Sequence, residues 1–112
     1  MKKPEIPEKA IQKTILEGLA WRKLWAFRLN SGGTRFQGKG KEYFVRFGFP
    51  GCPDIVVLLP DGRTLWIEVK SAKGVLSQPQ KDFKKKCDER GIPHLIAHSW
   101  DDVAQYLKNF TN

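Results

Sequence analysis

Two carboxylates and a lysine close apolar runs in the stretch GCPDIVVLLPDGRTLWIEVK, residues 51–70. Asp54 precedes Ile55-Val56-Val57-Leu58-Leu59, and Glu68 and Lys70 end the run Leu65-Trp66-Ile67, so three ionisable groups sit on segments that otherwise read as core strand. Pro60-Asp61-Gly62 reads as a three-residue hairpin loop: proline suits the first central position of a type I turn, aspartate the second, and glycine the left-handed position after it. Leu59 then pairs with Arg63. Counting back along both strands puts Asp54 opposite Glu68, and Lys70 shares that face because strand side chains alternate. A two-residue loop would slip the register by one and turn Asp54 away.

Two carboxylates at paired positions stand roughly 5 Å apart and repel unless something positive lies between them. A hard divalent cation with oxygen ligands answers that need, and Mg²⁺ suits it best. Such an ion keeps several waters and is completed by a substrate phosphate, polarising phosphorus and activating water near neutral pH. Lys70 can stabilise the charge that builds on phosphorus or orient the attacking water. The bland alternative is a surface salt bridge at a frayed strand end, which contributes little. A lone E-x-K would favour that alternative. P-D, thirteen residues, then E-x-K across a hairpin favours catalysis. Glu8 adds a further carboxylate: it lies three and seven residues before Ile11 and Ile15, on the helix face that packs on the sheet, with Gln12 one turn later. Read blandly, it is a first-turn acid meeting the helix dipole, and position alone leaves the two readings equal.

These groups need a frame. Residues 7 to 23 read as a helix, with Ile11, Ile15 and Leu19 four apart and Leu16 and Ala20 beside them. Trp25 to Asn30 reads as a strand. From Ser31 to Pro53 come six glycines, the cations Arg35, Lys39, Lys41 and Arg46, and the aromatics Phe36, Tyr43, Phe44, Phe47 and Phe49. That composition implies a long loop or a protruding β-hairpin turning near Gly38-Lys39-Gly40. After the two strands already described, a helix is expected from about residue 78 to 90, capped by Ser77, with Phe83 and Cys87 inward and Gly91 as its stop. Pro93 to His98 reads as a short strand, and Ser99 caps a final helix burying Val103 and Leu107. The order α-β-insertion-β-β-α-β-α implies an α/β fold with a mixed central sheet flanked by helices. Trp21, Trp25, Trp66 and Trp100 read as core or interface, and His94 and His98 as ordinary polar positions on a strand edge.

At 112 residues the chain can build one core but not separate catalytic and recognition domains. A single domain over residues 1–112 is expected, with a Gly/aromatic/basic insertion at about 31–50. Twenty Lys and Arg against twelve Asp and Glu give a net charge of +8, which favours a polyanionic partner such as nucleic acid. No apolar stretch approaches the roughly 20 residues needed to span a bilayer, and the N-terminus lacks the apolar run of a signal peptide, so no membrane partner and an intracellular, cytoplasmic protein are expected. Cys52 and Cys87 form neither a disulfide framework nor a CxxC pair, and reduced thiols are expected.

At these residues the chain resembles the PD-(D/E)XK nuclease superfamily, and within it the VRR-NUC (virus-type replication-repair nuclease) domains of small stand-alone phage and bacterial type. The resemblance covers nearly the whole length. It is carried by Glu8 and Gln12, by Asn30-Ser31-Gly32-Gly33, by Gly51-Cys52-Pro53-Asp54, by Glu68-Val69-Lys70, and by the run from Lys73-Gly74 through Leu76-Ser77 to Gln80. It implies a restriction-endonuclease-like PD-(D/E)XK core and a Mg²⁺ or Mn²⁺ dependent endonuclease acting on DNA, with no organic cofactor. By the same resemblance Asp54, Glu68 and the main-chain carbonyl of Val69 bind metal, and Glu8 completes the site directly or through water. Lys70 is the catalytic lysine, and Gln80 supports the site from its helix. Ser77-x-x-Gln80 is also a capping box, in which the glutamine satisfies a main-chain N–H, and the two roles are compatible.

Arg35, Lys39, Lys41 and Arg46 of the insertion, with Lys73 and Lys81, are expected to hold the DNA backbone. Lys84, Lys85 and Lys86 extend that set, although a lysine run is as readily a solvated helix face. No helix-turn-helix, zinc finger or other base-reading element is apparent, so recognition of DNA shape or branching is expected. Stand-alone members of the family resemble junction resolvases, which implies four-way (Holliday) junctions, DNA repair and a homodimer, in the host cytoplasm if phage-encoded. The rivals are a flap or single-strand nuclease on the same fold and a catalytically silent nucleic-acid-binding module.

Overall fold

The computed structural model describes residues 5–29 and 32–110, without the side chains of residues 32–34 and 45–47. Asn30 and Ser31 of the Asn-Ser-Gly-Gly motif, and the side chains of Arg46 and Phe47, lie outside the described residues.

Helix α1 (Glu8–Trp21) buries Ile11, Ile15 and Leu19, one per turn. Ala20 and Trp21 are exposed, because the stripe advances in four-residue steps and leaves both on the outer face. Strand β1 (Trp25–Arg28) is shorter than its sequence suggests, although Leu29 still gives its N–H in register to the Asp54 carbonyl at 2.7 Å.

The region after residue 31 is a hairpin. Strands β2 (Gly32–Gly38) and β3 (Lys41–Phe47) pair antiparallel and turn through Lys39 and Gly40, whose φ values of 50° and 75° are those of a type I′ turn. Its backbone approaches no other helix or strand among the described residues. The radius of gyration is accordingly 15.8 Å, against about 13 Å for a compact chain of this length.

Strands β4 (Ile55–Leu58) and β5 (Thr64–Val69) form the central hairpin, followed by α2 (Gln78–Glu89), β6 (His94–Ala97) and α3 (Trp100–Leu107). The main sheet runs β1-β4-β5-β6, with β1-β4 and β4-β5 antiparallel and β5-β6 parallel, so it is mixed. Ile55, Val57, Leu65, Ile67 and Val69 turn to one face and meet Ile11, Ile15 and Leu19 of α1 and Val103 and Leu107 of α3. On the opposite face α2 lies beside β6 and sets Phe83 edge-on against Trp66 at 5.4 Å. The result is an α/β fold with helices on both faces of a mixed central sheet. Cys52 and Cys87 are free and buried.

Candidate active site

The Pro60-Asp61-Gly62 turn sets everything downstream. Leu59 N–H donates to the Arg63 carbonyl at 2.8 Å, Gly62 takes the left-handed φ of 90°, and the register runs Leu58 with Thr64 through Ile55 with Ile67. The pairing ends at Ile55 with Ile67: Asp54, expected opposite Glu68, instead turns its N–H to the Ile67 carbonyl at 3.0 Å, one place short of that pair. Its side chain still reaches across, and the Val69 N–H donates to Asp54 Oδ2 at 2.8 Å.

Glu68 is 3% exposed, the only charged residue in the core among those described. Burial, and then the negative charge of Asp54, raises its carboxyl from the ordinary 4.5 to about 8. Lys70 opposes this shift with its ammonium 3.8 Å from Glu68 Oε1. Gln80 Nε2 donates to the same oxygen at 3.1 Å. Glu68 Oε2 is buried and without a hydrogen bond.

Gln80 is placed by the helix it begins. Ser77 Oγ accepts the Gln80 N–H at 3.3 Å and Gln80 Oε1 accepts the Ser77 N–H at 2.8 Å, a complete capping box. A main-chain N–H demands the oxygen of the amide, which turns the nitrogen to Glu68. One side chain therefore makes both contacts, the helix cap and the bond to Glu68. Gly51 brings the Pro53-Asp54 segment against this helix: its φ is 82°, and a Cβ there would overlap the Pro79 carbonyl.

These groups line an open cleft of about 550 Å³ at the end of the sheet. Glu8 and Gln12 reach it from α1, Arg28 and Leu29 from the end of β1, and Phe44 and Phe49 from the hairpin and the loop after it. Glu8 is exposed on the wall and raises Glu68 only weakly through its charge. No three His, Cys, Asp or Glu side chains among the described residues stand close enough together to share a metal ion. The structure gathers Asp54, Glu68, Val69, Lys70 and Gln80, with Glu8 further out.

The expected DNA-contacting cations are spread more widely. Lys39 and Lys41 sit exposed at the hairpin tip, and Arg35 pairs across it with Glu42 at 3.4 Å. The Arg46 side chain lies outside the described residues. Lys73 and Lys81 are exposed, in the loop after β5 and on α2, and neither lines the cleft. Lys84 bonds Asp88 at 2.7 Å and Lys85 lies 3.9 Å from Glu89, so part of the lysine run is occupied in pairs along the helix.

Two residues that support the site carry no motif. Glu5 Oε1 accepts the Lys73 N–H at 3.1 Å, which ties the approach to α1 to the loop after Lys70. His98 Nδ1 lies 3.2 Å from the Lys70 carbonyl and 3.3 Å from that of Ser71, so this nitrogen carries the proton. The only sequence signal for either is nearness to a strand or helix end that the motif residues occupy.

The donor set fits a hard cation. Two carboxylates and a carbonyl are oxygen ligands, and the buried Oε2 of Glu68 accepts no hydrogen bond.

The model of the VRR-NUC domain family matches residues 6–101. A solved structure of a VRR-NUC domain superposes with a TM-score of 0.64 at 21% identity, covering 94% of this chain and 97% of that one, so the two share a fold. No curated protein matches.

Proposed function

Because the chain belongs to the VRR-NUC family, and so is a nuclease domain of the PD-(D/E)XK type acting on DNA, we propose that it is a Mg²⁺ or Mn²⁺ dependent endonuclease selective for branched duplexes such as four-way junctions. The observation that carries the metal dependence is the Asp54 and Glu68 pair, one of whose oxygens is buried without a partner. Asp54, Glu68 and the Val69 carbonyl would hold the ion, and Glu8, set back on the cleft wall, would act through water. When bound, such an ion supplies a Lewis acid for phosphoryl oxygen and lowers the pKa of water.

The chain's own residues do the rest. Gln80 fixes the rotamer of Glu68, so the carboxylate need not reorganise when a ligand arrives. Lys70, largely buried between its strand and Glu68, presents a positive charge where negative charge builds on phosphorus. Glu8 and Gln12 stand on the far wall, within the cleft where a water or phosphate oxygen would sit.

Selectivity for branching is favoured by the lack of a base-reading helix among the described residues and by a protruding basic ribbon beside the cleft. The biological setting in this reading is a cytoplasmic DNA-repair or phage enzyme. A second reading, a flap or single-strand nuclease, is favoured by the exposed rings of Phe44 and Phe49 at the cleft, which suit unpaired bases. A metal-dependent cleavage assay over linear, flap and four-way substrates separates the two. Cutting of the flap alone would remove junction selectivity, and no cutting by the native chain under any divalent metal would leave only the silent binding module.

A further inference from the structure

Trp25 and Phe27 form an apolar surface that neither the core nor the cleft absorbs. In the β1-β4 register Trp25 lies across from Leu58 and Phe27 from Val56, and Val56 pairs in turn with Trp66. The two rings therefore stand on the sheet face that carries Trp66, Glu68 and Lys70. Helix α2 covers the β5-β6 side of that face, so the β1 side is open: Trp25 is 64% and Phe27 43% exposed, and they meet edge to face at 5.4 Å.

The surface runs into the cleft. Leu29, two residues after Phe27, lines the cleft and is bonded through its N–H to the Asp54 carbonyl. Residues two apart on a strand are spaced by roughly 6.8 Å, close to the reach of one nucleotide in an extended single strand. Trp25, Phe27 and Leu29, whose N–H holds the Asp54 carbonyl, are thus successive steps of that length. Arg28 and Lys9 border the same cleft, and the segment Trp25–Arg28 contains no acid. Two aromatic rings in a row, leading to a cleft bordered by cations on a chain of net charge +8, suit bases followed by a phosphate.

We infer that Trp25 and Phe27 are a stacking shelf for two unpaired bases of the DNA strand whose phosphate enters the cleft. The inference rests on the nuclease reading above and adds the feature recognised: a single-stranded stretch adjoining the scissile phosphate. A second copy of the chain is the competing occupant of the shelf.

The test is anisotropy of labelled oligothymidine and of a blunt duplex, titrated with the full chain without divalent metal. Trp25→Ala and Phe27→Ala should each weaken oligothymidine binding about tenfold, or 1.4 kcal/mol, within the roughly 1–3 kcal/mol of a stacked base. Duplex binding should stay within about twofold of wild type on the same reasoning. Trp25→Phe should retain most of the affinity, and Trp21→Ala, at a ring 87% exposed on the outer face of α1, should change nothing. Unchanged oligothymidine binding in both alanine variants, with native circular dichroism, would overturn the shelf, as would equal weakening on the duplex. A sedimentation mass that falls from two chains to one on Trp25→Ala would overturn it in favour of the second copy. Wild-type cleavage with metal is read separately: a chain that cuts but whose shelf variants bind normally loses only the shelf, and one whose shelf variants bind poorly but which never cuts loses only the nuclease reading.

Discussion

Gln80 and Glu68 are joined by one hydrogen bond, Nε2 to Oε1 at 3.1 Å, and the other end of the same amide caps helix α2 through the Ser77 N–H. The orientation of the carboxylate is thereby tied to the first turn of a helix. Gln80→Glu keeps the acceptor that caps the helix and removes the donor to Glu68. Cleavage should fall at least tenfold, about 1.4 kcal/mol of barrier, with helix content unchanged by circular dichroism. Gln80→Ala removes both contacts and should also cost about 1 kcal/mol of stability on denaturant unfolding. A fully active Gln80→Glu would reduce this residue to a cap.

Asp54→Asn and Glu68→Gln each remove a charged oxygen without adding bulk. Either should abolish metal-dependent cleavage while DNA binding persists, because the basic surfaces lie elsewhere. Activity retained within about tenfold, under 1.4 kcal/mol of barrier, would sink the site assignment.

The hairpin register was legible in the sequence because a turn is a local object: a few residues set it, and it then runs through the four pairs from Leu58 with Thr64 to Ile55 with Ile67, whereas the break at Asp54 was not legible. The helix starts at Ser77 and Ser99 were legible for the same reason. The region after residue 31 left a loop and a hairpin open, and the positive φ of Lys39 beside Gly40 is what makes it a hairpin. Contacts across elements were not legible. Whether Glu8 reaches Asp54 depends on how α1 crosses the sheet end, and the exposure of Trp25 depends on how far α2 covers β4 and β1. Both are set by packing over the whole core, and a hydrophobicity pattern along one strand carries no trace of them.

The raised carboxyl of Glu68 makes stability depend on pH. The native, metal-free chain holds a proton there up to about 8, whereas the unfolded chain releases it near 4.5. The stabilisation is fully present below the unfolded value and is lost as pH rises through the folded one. The Tm of the metal-free protein should fall between these two values, relative to Glu68→Gln, which has no such proton to lose. Added Mg²⁺ should raise Tm more at the alkaline end, where the carboxylate is free to bind it. Wild-type and Glu68→Gln profiles that run parallel would remove the coupling.

Phosphate contacts leave a signature in salt. The logarithm of affinity should fall with log salt at a slope of about 0.9 per phosphate neutralised. Lys39 and Lys41 are exposed at the ribbon tip, whereas Arg35 is already paired with Glu42. Lys39→Asp with Lys41→Glu should flatten the slope by about two, aspartate being chosen because it tolerates the left-handed backbone at that position. An unchanged slope would take the ribbon off the binding surface.

One site cuts one strand, whereas resolving a four-way junction takes two related cuts, which a two-fold dimer supplies through its symmetry. The ribbon offers the surface. Phe36 and Tyr43 lie directly across it from one another, exposed, with ring centroids 6.0 Å apart, on a hairpin whose backbone meets no other element. An aromatic pair with no core beneath it is the kind of patch that marks an interface. Sedimentation of the DNA-free protein at micromolar concentration should give the mass of two chains, and Phe36→Ser with Tyr43→Ser should give one. The same double variant should still nick a single strand while losing paired cuts on the junction, since each site is complete within its own chain. A wild-type chain that stays monomeric on a four-way junction would refute the dimer and move the function to a flap or single-strand nuclease.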